Sequence, residues 1–248
     1  MSLNGLRVWV TRPQDQSGAL CRLIRKNGGV AYALPTVVLQ PMPLSQVQRS
    51  TWLHLVKPTL VIVLSANAVR FFSLPWQDMA QAIAIGPATA AALSHRGIDV
   101  FAVAQPASSE GLLALPMLQD VAGQQCFVLC GQDPRQLLHN RLKGRGADVT
   151  TIVSYRRVAP AWQDQQVLHF MQQQSIDVVV FTSMSGIKNL IEGLDFSALA
   201  RLRQCCAVVV GERMAKECQN GQWFAMIYVA TDASDASIVA ALKQCVHF

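Results

Sequence analysis

The sequence predicts an α/β protein of two like domains, each a parallel sheet with helices on both faces. Three observations predict it. First, the chain repeats itself: T-L-V-I-V-L-S-A-N-A-V (59–69) matches D-V-V-V-F-T-S-M-S-G (177–186) when Val61 is laid on Val178. That offset (178 − 61 = 117) is read as one value for the whole repeat. A-I-A-I-G-P-A-T-A (82–90) matches A-V-V-V-G-E-R-M-A (207–215), and A-S-S-E-G-L-L-A-L (107–115) matches A-S-D-A-S-I-V-A-A-L (233–242). L-R-V-W-V-T-R-P (6–13) has a weaker echo in Q-C-F-V-L-C-G-Q-D-P (125–134). A repeat this long exceeds the roughly 20–50 residues of a solenoid unit, so it indicates two domains. A cleft between them is the expected place of function. Second, short apolar runs alternate with helical patterns, which implies parallel sheets. Third, Val-rich runs without alternation, such as V-V-V-F (178–181), read as strands covered on both faces.

In chain order, the first repeat predicts strands near 6–11, 30–34, 60–64, 82–85 and 98–103. Helices fall near 14–27, 45–56, 67–73, 87–96 and 109–120. The second predicts strands near 125–130, 148–152, 177–181, 206–210 and 225–229, and helices near 134–145, 163–174, 184–192, 212–219 and 234–245. Pro87 suits a first helical position. Ser108 and Ser234 read as helix N-caps, with Glu110 and Asp235 favoured by the helix dipole behind them. Two segments break the rhythm. T-V-V-L-Q-P-M-P (36–43) and T-I-V-S-Y-R-R-V-A-P-A (151–161) each follow the second strand of a repeat and end in proline, which disfavours helix before it. Matched crossings between domains would pair residues 1–36 with 157–248 and leave 39–154 as the second domain, with connectors at 36–41 and 152–158. The repeat alone leaves a simple split near residue 123 open.

Composition narrows the function. The chain has 248 residues, 51% hydrophobic and 15% charged, enough for two cores and too apolar for disorder. No apolar run approaches the ~18 residues of a membrane span, and the N-terminus shows no signal-peptide pattern. A cytoplasmic protein is expected, with no membrane partner. The cysteines at 21, 126, 130, 205, 206, 218 and 245 show no C-x-x-C or zinc spacing, so reduced structural thiols and no metal are expected. The formal charge is +6, with Arg12, Arg70, Arg135, Arg141, Lys143, Arg145, Arg156, Arg157 and Arg213 after strands or in turns. Without a stacking-aromatic or helix-turn-helix motif, a polyanionic small molecule is preferred over nucleic acid.

In parallel α/β sheets ligands bind beyond the carboxyl ends of the strands, where helix N-termini present free N–H groups. There the sequence places T-R-P (11–13), S-A-N (65–67), G-P-A-T (86–89) and T-S-M-S (182–185). Dinucleotide, P-loop, serine-hydrolase and zinc-protease motifs are missing. The five histidines lie in predicted helices or at the tail. What remains is hydroxyls, amides, arginines and Tyr155, an inventory for holding an anion. A non-enzymatic two-domain binding protein or sensor for a small anion remains an alternative, as does a phosphosugar-handling enzyme.

These residues resemble the uroporphyrinogen-III synthase family. V-W-V-T-R-P (8–13) with G-G-V-A-Y-A-L-P (28–35), V-I-V-L-S-A-N-A-V (61–69), A-I-G-P-A-T-A-A-A-L (84–93) with Gly97, S-S-E-G-L (108–112), L-C-G-Q-D-P-R-Q-L-L (129–138) and V-S-Y-R-R (153–157) carry the resemblance. It implies two flavodoxin-like (Rossmann-like) domains joined by a two-stranded β connector, and cyclisation of hydroxymethylbilane with inversion of ring D and loss of water. It implies no cofactor. Tyr155 matches the family tyrosine suspected of assisting hydroxyl departure. Arg12, Ser65, Asn67, Thr89, Gly131, Arg135, Thr182 and Ser183 fall where substrate carboxylates would be held. A monomer is expected, in transient contact with the upstream hydroxymethylbilane-forming enzyme. The chain departs from the family pattern at Met214, where Thr is common, at Glu212-Arg213, and at Cys130, where Arg often precedes the glycine.

Overall fold

The computed structural model describes residues 2–55, 59–132, 134, 136–161 and 164–247. The elements in chain order are β1 (Arg7–Val10), α1 (Gln14–Lys26), β2 (Val30–Ala33), β3 (Val38–Pro41), α2 (Gln46–Leu53), β4 (Thr59–Val63), α3 (Ala66–Phe71), β5 (Ala80–Ala84), α4 (Pro87–Ser94), β6 (Val100–Val103) and α5 (Ser109–Leu113). There follow β7 (Gln125–Gly131), α6 (Gln136–Gly144), β8 (Asp148–Val158), α7 (Asp164–Gln173), β9 (Val178–Phe181), α8 (Met184–Glu192), α9 (Phe196–Leu202), β10 (Cys206–Val210), α10 (Glu212–Gly221), β11 (Met226–Ala230) and α11 (Asp235–Gln244). Two compact units result: residues 1–38 with 158–248, and residues 39–157.

The first unit holds a parallel sheet in the order β11-β10-β9-β1-β2. Counted within the unit this is 5-4-3-1-2, the flavodoxin order read from its far edge. The second unit's sheet runs β3-β8-β7-β4-β5-β6. β7, β8, β4, β5 and β6 stand where β1, β2, β9, β10 and β11 stand in the first, so this unit is the same fold entered at its third strand. That permutation explains why the units do not part at the repeat junction. β3 lies at the edge beside β8, where Met42 N–H donates to the Ser154 carbonyl (2.8 Å) and Arg156 donates to Gln40 Oε1 (3.2 Å).

Strand alternation sends side chains to two cores per unit. In the first, Val8, Val10, Val178, Val180 and Val208 pack toward α1 and α11. Trp9, Val179, Phe181 and Val209 pack toward α7 to α10 on the other face. In the second, Val61, Val63, Phe127 and Leu129 meet α2 to α4, while Leu60, Ile62, Cys126 and Val128 meet α5 and α6. All seven cysteines are buried and free. Burial pushes the Cys130 thiol up to about 12 and that of Cys205 to about 11, so these thiols serve as packing.

Three expectations need correction. The helix expected over 109–120 stops at Leu113, and Pro116 opens a separate 3-10 turn over residues 116–118. The strand expected over 148–152 continues to Val158 as one strand, β8. The repeat offset is not constant: it is 117 at Val61 but 125 from Ala82 to Ala207. The added eight residues accompany α9, an extra helix in the second copy, N-capped by the Asp195 carboxylate accepting from Ala198 N–H (2.8 Å).

At the amino ends of β1 and β9, Asp177 accepts from the Arg7 backbone N–H (2.8 Å), Nε (2.9 Å) and Nη2 (2.6 Å). Burial alone would raise the Asp177 carboxyl, but the Arg7 hydrogen bonds and charge outweigh it and hold it below its usual 3.8. A carboxyl depressed on folding stabilises above its unfolded pKa, and the benefit is lost as pH falls through the folded pKa. With the two side chains 43% and 33% exposed, solvent screening holds the pair to roughly 1 kcal/mol. Asp177→Asn is therefore expected to lower urea stability at pH 7, and the difference from wild type should shrink as pH falls below 3.8 and through the depressed pKa of Asp177. A difference that persists undiminished in acid would contradict this reading.

Candidate active site

A flavodoxin-like sheet has one place where neighbouring strands send their helices to opposite faces, and the crevice beyond the strand ends opens there. In the second unit this switch point lies between β4 and β7. The chain beyond β4 gives Ser65, and β7 ends at Gly131. β8 adds Tyr155 through a register shift. Cys130 pairs with Val153, but Gly131 pairs with Tyr155, skipping Ser154. Such a bulge re-aims a side chain.

Tyr155 is held from every side described. A Cβ on Gly131 would lie 2.6 Å from Tyr155 Cζ and 2.9 Å from its hydroxyl, so only glycine leaves room for the ring. Phe71 stacks on the ring (centroids 5.7 Å, interplanar 29°), and the Arg157 guanidinium lies 5.8 Å from its centroid. The hydroxyl is 3.2 Å from Ser65 Oγ, and the residue is only 2% exposed. Ser65 Oγ also caps α3 by accepting from Ala68 N–H (3.0 Å). Phe71 and Arg157 were not among the expected site residues. Phe71 gave no signal beyond its helical spacing, and Arg157 was marked only as one of many cations.

The first unit's switch point lies between β9 and β1. Thr182 is half-buried just beyond β9, and Ser183 caps α8 by accepting from Gly186 N–H (3.2 Å). The buried Thr36 Oγ1 faces the first turn of α8, 2.8 Å from where a Cβ on Gly186 would stand. A recess of about 70 Å³ nearby is lined by Met184, Lys188, Arg213 and Glu217. Lys188, which the sequence reading missed, thus joins Arg213 as positive charge at this end of the unit. A larger groove of about 650 Å³ opens at the opposite, amino ends of β1 and β9, where Arg7 and Asp177 pair with each other. It lies at the other end of the sheet from this unit's own switch point, so topology and not volume locates the site.

Other expected contacts change. The Arg12 guanidinium is committed to Asp235 (2.5 Å) and to the Ala233 carbonyl (2.5 Å), tying the start of α11 to β1. It is a structural cation and not a free carboxylate partner. Thr89 is 3% exposed in the first turn of α4, so its side chain faces inward. Asn67 is half-buried in α3. Arg135 lies outside the described residues. Of the expected set, the structure brings together Ser65, Gly131 and Tyr155 in one unit, and Thr182 with Ser183 in the other. Met214, where the family pattern favours Thr, is buried in the core of the first unit. Gly211 keeps its glycine because its φ is +77°.

Comparison with known proteins bears on lineage and fold. A family model described as uroporphyrinogen-III synthase HemD matches residues 18–240. The uroporphyrinogen-III synthase of Escherichia coli (strain K12) is 29% identical over 252 residues, covering 96% of this chain and 100% of that one. That of Chlorobaculum parvum is 23% identical over 81% of this chain and 84% of its own. Among solved structures, uroporphyrinogen-III synthetase from Helicobacter pylori 26695 matches 98% of this chain and 99% of its own, with a TM-score of 0.62 at 17% identity. A mutant uroporphyrinogen III synthase from Thermus thermophilus matches 98% and 99%, with a TM-score of 0.56 at 20% identity. The structural matches speak for the fold, and the family model for the lineage: the chain belongs to the uroporphyrinogen-III synthase family.

Proposed function

We propose that the chain is a cyclising lyase that converts linear hydroxymethylbilane to uroporphyrinogen III, inverting ring D and releasing water. Family membership over most of the chain supports the reaction. The observation that carries the site is the Ser65–Tyr155 hydroxyl pair, seated over Gly131 at the switch point of the second unit. The hydroxyls and amides at Ser65, Asn67, Thr182 and Ser183 are of the chemistry that accepts substrate carboxylates. Lys188 and Arg213 supply positive charge beside α8.

The substrate's own pyrroles drive the chemistry. Departure of the hydroxymethyl oxygen as water leaves an azafulvene. The substituted α-carbon of ring D attacks it, and the resulting spiro intermediate fragments and recloses inverted. The protein's main contribution is to hold a conformation that would otherwise close without inversion. Tyr155 assists departure of the hydroxyl. Tyr155→Phe is expected to lower turnover of hydroxymethylbilane to isomer III by roughly ten-fold or more, through loss of acid assistance. Wild-type turnover in that variant would remove Tyr155 from the mechanism.

A further inference from the structure

The Ser65–Tyr155 pair has an unequal geometry. The tyrosine is 2% exposed, closed in by Gly131, Phe71 and Arg157. Ser65 is half-buried at the carboxyl end of β4. The group better placed to meet a substrate is therefore the serine, and the phenol stands behind it.

We propose that Tyr155 acts through Ser65, the serine hydroxyl passing a proton to the substrate's departing hydroxyl while the phenol replaces it. This rests on the proposed cyclisation and alters which atom touches the substrate. The valences of Ser65 Oγ fit the role. Its two lone pairs are filled by Ala68 N–H at 3.0 Å and, with the phenol donating, by Tyr155 at 3.2 Å. Its single hydrogen is then directed away from both. An alcohol alone is a much weaker acid than a phenol, so the serine serves as a conduit for the phenol's proton.

The step balances. The carbon–oxygen bond of the hydroxymethyl group breaks with its electron pair on oxygen, which takes the Ser65 proton and leaves as water. The pyrrole nitrogen lone pair forms the new double bonds, giving an azafulvenium cation. The Tyr155 O–H breaks as a new Ser65 O–H forms, leaving a phenolate. When the macrocycle recloses, the proton lost from the free α-carbon of ring D returns through Ser65 to the phenolate.

The test is a double-mutant cycle in single-turnover reactions with hydroxymethylbilane, run in mixtures of light and heavy water. Ser65→Asn keeps the helix cap but breaks the relay, while Ser65→Thr keeps a hydroxyl. The proposal expects Ser65→Asn and Tyr155→Phe each to lower the rate roughly ten-fold or more, and the double variant to be no slower than the slower single. It also expects a bowed, two-proton isotope dependence in wild type and Ser65→Thr that is lost in Ser65→Asn. Losses that multiply in the double variant, or a linear dependence in wild type, would overturn the relay while leaving Tyr155 as a direct donor. A wild-type rate in Tyr155→Phe would instead remove the tyrosine altogether, and with it the relay.

Discussion

Gly131→Ala is expected to lower turnover by roughly ten-fold or more, as removal of the phenol would, because a displacement of about 1 Å at a reacting group is enough to forfeit its contribution. A β-carbon at 131 would stand 2.6 Å from Tyr155 Cζ and 2.9 Å from Cε1, closer than any unstrained contact. The ring cannot simply swing aside, because Phe71 stacks against it and Ser65 holds its hydroxyl. The phenol must shift, and its alignment with Ser65 goes with it. Overpacking of this kind also costs about 1–3 kcal/mol of stability, so the folded fraction is to be measured alongside single-turnover rates. A properly folded Gly131→Ala variant that turns over within a few-fold of wild type would show that the seat of Tyr155 does not matter.

The largest expected loss of stability is at Trp52. This residue of α2 is fully buried, with Phe72, Trp76 and Phe127 meeting it edge-on at 4.8, 5.2 and 5.5 Å between ring centroids. Its indole N–H donates to the Pro75 carbonyl (2.8 Å). Trp52→Ala removes the centre of that cluster, leaves a cavity, and takes one of two donors from the Pro75 carbonyl, which also accepts from Gln77 Nε2 (3.3 Å). The expected cost is about 3–5 kcal/mol, a large share of a stability of about 5–15 kcal/mol. At a slope of about 2 kcal/mol per molar urea the unfolding midpoint should fall by roughly 2 M. A fall of under about 0.5 M at that slope would contradict the cluster's role.

Both sites rest on features of differing legibility. Alternating apolar runs and turn residues marked most strands and helices, and Ser108, Ser234 and Pro87 stand in the capping positions their types favour. α9 escaped notice because one offset was applied to the whole repeat, although A-I-A-I-G and A-V-V-V-G already lie eight residues out of step. The Arg12–Asp235 pairing joins residues 223 apart, which local pattern cannot relate. Tyr155 owes its place to a bulge that skips Ser154. A bulge changes register without a reliable residue signature, so its burial over Gly131 could be found only in three dimensions. The near-continuous apolar strands gave the topology class but not the permuted entry of the second unit, which depends on which strands pair.

The central claim is that this chain closes a linear tetrapyrrole with inversion of ring D. It is tested most directly by incubating the protein with freshly made hydroxymethylbilane, oxidising the products to porphyrins, and resolving the isomers chromatographically. The account predicts predominantly isomer III, formed faster than the uncatalysed closure. Isomer I alone, as in the protein-free control, would contradict it.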